Sequence, residues 1–150
     1  MEMEYNKRNG FACGRFDIMH LGHIRLLEYA KSQCDVLFVG ILEDQTLENP
    51  NRQKSTQSLY ERVGQIEALK SVDHVFTYKT EQELYDYLQS NDDRLYVRIL
   101  GNDWEGKKIT GYDIPGHLEK CRYLDRAIDD YSSTELRQRI IVEYLENKIK

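Results

Sequence analysis

The run Asp35-Val36-Leu37-Phe38-Val39-Gly40-Ile41-Leu42 is almost continuously apolar over the length of one strand. It constrains the fold more than any other part of the chain. A strand with one wet face alternates apolar and polar residues, whereas a strand covered on both faces need not. This segment is therefore expected inside a sheet with helices above and below it. Shorter strand-like runs are read at residues 11–16, 74–77, 95–100 and 121–124. Between them lie stretches with helical periodicity. Residues 22–31 place Ile24, Leu27 and Ala30 on one side, and residues 59–70 carry the stripe Leu59, Val63, Ile66 and Leu69. Further helices are read at 81–89 and 133–145, the last carrying Leu136, Ile140 and Leu145. Strand and helix in alternation feed a parallel sheet. The expected architecture is α/β: one domain over residues 1–150, with a doubly wound, five-stranded parallel sheet and helices on both faces.

Composition removes several function classes. The net charge of −5 argues against a general affinity for nucleic acid, which needs a dominant basic face. No apolar run is long enough to cross a bilayer, and the charged start Met1-Glu2-Met3-Glu4 lacks the apolar core of a signal peptide, so a cytoplasmic location is expected. Cys13, Cys34 and Cys121 are widely spaced and odd in number, which fits neither a disulfide framework nor a zinc knuckle. Basic residues nonetheless gather in loops and helix starts, at Arg52, Lys54, Arg62, Lys107, Lys108 and Arg126. A local phosphate pocket on an acidic protein would use them so. The polar stretch 43–58 is long for a connection and is expected to serve function.

Where the first strand turns into the first helix, the sequence reads Gly14-Arg15-Phe16-Asp17-Ile18-Met19-His20-Leu21-Gly22-His23. A helix N-terminus offers unpaired N–H groups and the positive end of the helix dipole, which together favour a phosphate. Gly22 has no side chain, so a phosphate can approach the backbone there. His20 and His23 sit at i and i+3, so both imidazoles can face one spot and bracket one phosphate. A bare H-x-x-H is more often half a metal site or a pair of surface histidines. Zinc wants three or four protein ligands, however, and His74 and His117 stand in unrelated segments with no clustered cysteine. No protein-held metal is expected.

The complete string resembles the H-x-G-H signature of the cytidylyltransferase-like superfamily of nucleotidyltransferases. Members with a GTFD-x-x-H-x-GH start include glycerol-3-phosphate and choline-phosphate cytidylyltransferases. The resemblance implies a Rossmann-like nucleotidyltransferase fold in which His20 and His23 stabilise the α-phosphate during in-line attack. Asp17 then holds the turn and aids the acceptor or a metal, and Gly14, Arg15, Phe16 and Gly22 meet the nucleotide. Arg15 replaces the Thr of many cytidylyltransferases and is closer to some adenylyltransferases.

Two further stretches carry the likeness. Arg126 followed by Ser132-Ser133-Thr134 resembles the RTEGISTT signature, with Ala127-Ile128-Asp129-Asp130 in between. Taken alone the hydroxyls are a helix N-cap; the resemblance adds a cradle for the β and γ phosphates and makes Arg126 catalytic. Gly101-Asn102-Asp103-Trp104-Glu105-Gly106-Lys107 resembles the GDDWEGK stretch of glycerol-3-phosphate cytidylyltransferases. By that likeness Gly101, Asp103 and Trp104 line the nucleotide and acceptor pocket, although a lone Trp more often packs into a core. Lys54 and Arg62 align with phosphate-reaching basic residues; alone, both read as surface charges. Residues 109–114 look like an insertion relative to short family members. Arg98, inside an apolar strand, is expected at a dimer interface or on a sheet edge.

The implied reaction transfers CMP from CTP to glycerol 3-phosphate, giving CDP-glycerol and pyrophosphate for a wall or capsule polymer. Mg²⁺ is implied, held mainly by substrate phosphates, as is a homodimer. Two alternatives remain open: ATP or CTP with a sugar phosphate or another phospho-alcohol, and a nucleotide-binding module that has lost turnover.

Overall fold

The computed structural model describes residues 1–125 and 131–150. The long apolar run forms strand β2, Val36–Leu42, in which Leu37, Phe38, Val39 and Ile41 have no exposed surface. It lies between β1, Asn9–Gly14, and β3, His74–Tyr78, parallel to both. Strand β4, Leu95–Gly101, pairs with the other side of β1, and β5, Cys121–Leu124, pairs with β4. The order β3-β2-β1-β4-β5 is all parallel and doubly wound. Its direction of growth reverses between β1 and β4, so the switch point lies at the carboxyl ends of those two strands.

Successive side chains of each strand feed two different cores, because the side-chain period is 2. Ala12, Leu37, Val39, Ile41, Val97 and Ile99 meet Leu26, Leu27 and Ala30 of helix α1, Leu21–Ser32, and Ile66 of α2, Leu59–Glu67. On the opposite face Phe11, Val36, Phe38 and Leu95 meet Leu84 and Leu88 of α3, Glu81–Ser90. Each such fully buried aliphatic or aromatic side chain contributes about 1.5–3 kcal/mol. The rest of the second face is covered by irregular chain from the 109–114 segment. Its Ile114 joins the second core, and Ile109 packs with Leu100 and Cys121.

Several boundaries differ from the sequence pattern, each for a local reason. β1 stops at Gly14 and not at residue 16, because Phe16 and Ile18 adopt left-handed backbone with φ of 51° and 50°. α2 ends at Glu67, although Leu69 still packs on the first core. Helix α4, Ser133–Ile149, continues past residue 145 and buries no side chain fully. Its apolar residues circle the axis, with Leu136, Ile140 and Tyr144 at one i, i+4 spacing and Ile141, Leu145 and Ile149 at another. A single apolar stripe never forms. Arg98 also departs from expectation: β4 lies inside the sheet between β1 and β5, so Arg98 is at no edge, and it is only 3% exposed. Among the described residues no helix is long and apolar enough to cross a membrane.

Candidate active site

The segment between β1 and α1 lies at the switch point and is shaped by its own side chains. His20 is the N-cap of α1, and its Nδ1 accepts the N–H of Gly22 at 3.0 Å. In return His23 Nδ1 accepts the N–H of His20 at 3.3 Å, closing a capping box made of two histidines. The two rings stack with centroids 3.9 Å apart and planes 26° apart, and Phe16 meets His23 edge-on at 5.5 Å. A neutral imidazole has one donor and one acceptor nitrogen. With both Nδ1 atoms accepting, both protons reside on Nε2. The cap thus converts a histidine pair into a pair of Nε2–H donors on adjacent rings. Gly22 is required by this arrangement, since a Cβ there would come within 2.8 Å of the His20 ring and 3.1 Å of Tyr131 Cβ.

Asp17 fastens the turn from within. It is 2% exposed; its Oδ1 accepts Gln57 N–H and its Oδ2 accepts Thr56 N–H, both at 2.9 Å. Arg137 of α4 donates to the same Oδ2 at 2.5 Å, and Ser133 Oγ donates to the Asp17 carbonyl at 3.1 Å. Burial alone would raise the carboxyl pKa, but the two amide hydrogen bonds together with Arg15 and Arg137 outweigh it and hold the group below the usual carboxylate value. One buried anion therefore joins three segments: the β1–α1 turn, the long 43–58 loop and the start of α4. Gln57 adds a further tie, accepting Ile18 N–H at 2.7 Å. The N-termini of α1 and α4 converge here, with Ser132 capping α4 through Glu135 N–H at 3.0 Å. Two helix starts beside one turn bring two positive dipole ends to the place of an anion.

The remaining expected residues fall into two groups. Arg15 is half-buried beside Asp17 and donates to the Gln53 carbonyl at 3.1 Å. Gly101 ends β4 at the switch point, and Asp103 and Trp104 follow on a 3₁₀ turn, Trp104 being 46% exposed. So this Trp is not a core residue. Thr134 is exposed near the α4 start, and Lys54 is exposed on the loop. Arg126 lies outside the described residues. Arg62 is the surprise. It is 2% exposed and gives its guanidinium to the carbonyls of Leu42, Glu43 and Arg15 at 2.7, 2.6 and 3.0 Å. It binds β2, the long loop and the signature turn together, so in this structure its hydrogen bonds go to backbone. Sequence reasoning also missed Arg137, one of several charges on α4, which nothing in the local sequence singles out as the partner of Asp17. Among the described residues no group of three or more His, Cys, Asp or Glu is placed to hold a metal ion.

Comparison with known proteins bears on the same segments. A family model described as cytidylyltransferase-like matches residues 11–139. The chain belongs to the cytidylyltransferase-like family. This cytidylyltransferase-like chain is 36% identical over 129 residues to the glycerol-3-phosphate cytidylyltransferase of Bacillus subtilis (strain 168), covering 85% of the chain and 92% of that protein. It is 34% identical over 124 residues to the bifunctional protein HldE of Aliarcobacter butzleri, covering 79% of the chain but only 25% of HldE. The chain thus spans about a quarter of that relative's length. Among solved structures, the lipopolysaccharide core biosynthesis protein from Thermoplasma volcanium GSS1 superposes with a TM-score of 0.57 at 28% identity, over 67% of this chain and 79% of that one.

Proposed function

We propose that the protein transfers the nucleoside monophosphate of CTP to the phosphate of a phosphorylated alcohol, with glycerol 3-phosphate as an acceptor and CDP-glycerol and pyrophosphate as products. The observation that carries this is the histidine capping box, which fixes two Nε2–H donors at a helix N-terminus. In the reaction an oxygen of the acceptor phosphate bonds to the α-phosphorus while the bond from that phosphorus to the bridging oxygen of pyrophosphate breaks. No covalent enzyme intermediate is needed. Charge on the α-phosphoryl oxygens rearranges on the way, and preorganised donors aimed at them act where they are worth most. Arg126, Ser132, Ser133 and Thr134 are proposed at the departing phosphates, and Trp104 and Asp103 beside the nucleotide. The carboxylate of Asp17 is committed to amides and Arg137. Magnesium therefore enters as part of the nucleotide substrate, held by phosphate oxygens.

Support for CTP and glycerol 3-phosphate comes from the extensive match to the Bacillus subtilis protein and from residues 101–107. A second pair, ATP or CTP with a sugar phosphate, is favoured by Arg15, and the match to the bifunctional protein HldE leaves room for an acceptor other than glycerol 3-phosphate. A homodimer is also proposed; the half-exposed Ile140, Ile141 and Leu145 of α4 leave apolar surface for a second copy, and a monomer mass in light scattering at micromolar concentration contradicts it.

The decisive test is His20→Ala and His23→Ala. Removing one donor aimed at a transition-state oxygen lowers kcat by about 10²–10³-fold. Because each histidine also caps α1, each variant loses about 1 kcal/mol of stability as well. Pyrophosphate release per folded molecule separates the two effects, and unchanged kcat in both variants defeats the proposal.

A further inference from the structure

The turn that delivers His20 to the start of α1 is strained, and the strain is held from outside it. Phe16 and Ile18, on either side of Asp17, both have left-handed backbone, with φ of 51° and 50°. For a β-branched residue such as Ile18 that conformation is a genuine outlier, and it persists only where the surroundings over-determine it. Phe16 is fixed by its ring, which is buried in the first core and meets His23 edge-on. Ile18 has a different restraint. Its N–H donates to Gln57 Oε1 at 2.7 Å, across 39 positions of chain.

Gln57 can hold this turn because it is itself held. Its own N–H donates to Asp17 Oδ1 at 2.9 Å, so Asp17-Ile18 and Gln57 exchange hydrogen bonds in both directions. Ser58, the next residue, is the N-cap of α2 and forms a capping box with Glu61, whose Oε2 accepts the Ser58 N–H at 2.7 Å. One turn further on, Arg62 reaches back to the Arg15 carbonyl at 3.0 Å. The start of α2 therefore grips the signature turn at Arg15, Asp17 and Ile18. Two residues beyond Ile18, His20 takes up the extended backbone, φ −136° and ψ 176°, from which its Nδ1 accepts the Gly22 N–H.

We infer that Gln57 is a positioning residue for nucleotidyl transfer: by pinning the Ile18 N–H it keeps the turn left-handed, and so keeps the two Nε2–H donors of the histidine cap aimed. Gln57 acts through the histidines and not on substrate. Freed of this restraint, Ile18 relaxes toward ordinary backbone and redirects the chain two residues before the cap. Misaligned donors lose most in the transition state, where they are worth most, while ground-state binding of the nucleotide at two helix starts is less affected. The inference rests on the proposed transfer and gives the long 43–58 loop a role other than contact with substrate.

The test is a double-mutant cycle of Gln57→Met, which keeps the side-chain length and removes the acceptor, with Ile18→Gly, which allows left-handed backbone at no steric cost. Pyrophosphate release is measured per folded molecule with CTP or ATP and glycerol 3-phosphate or glucose 1-phosphate, using the pair that the wild type turns over fastest. In Gln57→Met, kcat is expected to fall about 10-fold, with the nucleotide KM within about 3-fold of the wild type. In the Ile18→Gly background the same change lowers kcat by less than about 3-fold, because the turn no longer needs to be held. Hydrogen exchange gives a readout independent of turnover. The His20 and Gly22 N–H groups, the donors of the histidine cap, are expected to exchange at least about 5-fold faster in Gln57→Met, with no change in β1. Unchanged kcat in Gln57→Met, an equal loss in both backgrounds, or unchanged exchange at His20 and Gly22 overturns the inference. If the wild type releases no pyrophosphate with any pair, the transfer reading fails, and faster exchange at His20 and Gly22 in Gln57→Met still upholds its hold on the cap.

Discussion

The two faces of the carboxyl edge are fastened by opposite means. On the α1 side a buried anion, Asp17, gathers two backbone N–H groups and the Arg137 guanidinium. On the other side a buried cation, Arg98, gathers the Thr110 carbonyl, His117 and a thiol, and none of these is a carboxylate. Backbone carbonyls and N–H groups are available everywhere, so either sign of charge can organise an irregular loop if enough of them are turned toward it. The difference lies in what surrounds the charge. Asp17 is neutralised by neighbouring Arg15 and Arg137, whereas the field of Arg98 falls on a histidine that must remain neutral. The first fastening should be strong and insensitive to mild acid, and the second weaker and acid-sensitive.

The largest effect expected is from Asp17→Asn. The amide keeps one acceptor oxygen but turns an N–H donor group toward Thr56 N–H or the Arg137 guanidinium, leaving donors facing donors and two guanidiniums without their anion. Breaking a buried pair from one side costs about 3–5 kcal/mol, which for a chain of this size lowers Tm by roughly 6–20 °C. A melting temperature within 3 °C of the wild type would show that the loop is held by something other than Asp17.

Next in size is the pH dependence of the second face. His117 has no exposed surface, and burial, reinforced by the charge of Arg98, lowers its pKa from 6.5 to about 4. Its Nε2 faces Arg98, so the proton of the neutral ring sits on Nδ1, 3.8 Å from Asp92 Oδ1 and too far for a hydrogen bond. Between those two pKa values the unfolded chain binds a proton that the folded chain refuses. Stability is therefore full above pH 6.5 and falls as the pH is lowered toward 4, by up to about 3 kcal/mol. The Asp17 contribution has the opposite origin: its depressed pKa keeps it present above 3.8 and loses it only in stronger acid. Hydrogen exchange at pH 7 and pH 5, corrected for intrinsic rates, should show faster opening of residues 109–120 with little change at Thr56 and Gln57, whose N–H groups Asp17 holds. In Arg98→Met the acid dependence shrinks, because one of the causes that lower the pKa, beside burial and the charge of Lys120, is gone. Equal opening of both segments would erase the contrast.

How much of this could be read beforehand divides along the same line. The buried strand β2, the alternation of elements and the signature turn were legible, because local periodicity and a contiguous string of residues carry them. Arg62, Arg98 and Arg137 were not. Each is a charge that reads as solvent-facing or unexplained, and each becomes buried or half-buried through partners 12 to 120 positions away. Non-local carbonyls leave no trace in the sequence near the arginine they satisfy. The α4 helix failed in the other direction: its residues have helical spacing, but they surround the axis and so name no single buried face.

The smallest stability effect expected comes from Trp104→Ala, and it bears on which of these two faces the nucleotide uses. Trp104 follows β4 on a 3₁₀ turn at the switch point and is 46% exposed, and it belongs to neither of the two main buried clusters. A packed tryptophan truncated to alanine costs about 3–5 kcal/mol, but a surface residue away from core and caps usually changes stability within about 0.5 kcal/mol. Trp104→Ala should therefore melt within roughly 2 °C of the wild type. If the indole supplies a face for the base or the acceptor, its loss appears as a higher KM for one substrate, by about 10-fold for a lost stacking contact of 1–2 kcal/mol. A rise in the nucleotide KM alone assigns the tryptophan to the base. A rise in the acceptor KM alone places the acceptor beside Trp104. Large destabilisation with unchanged KM values would return Trp104 to the role of a packing residue.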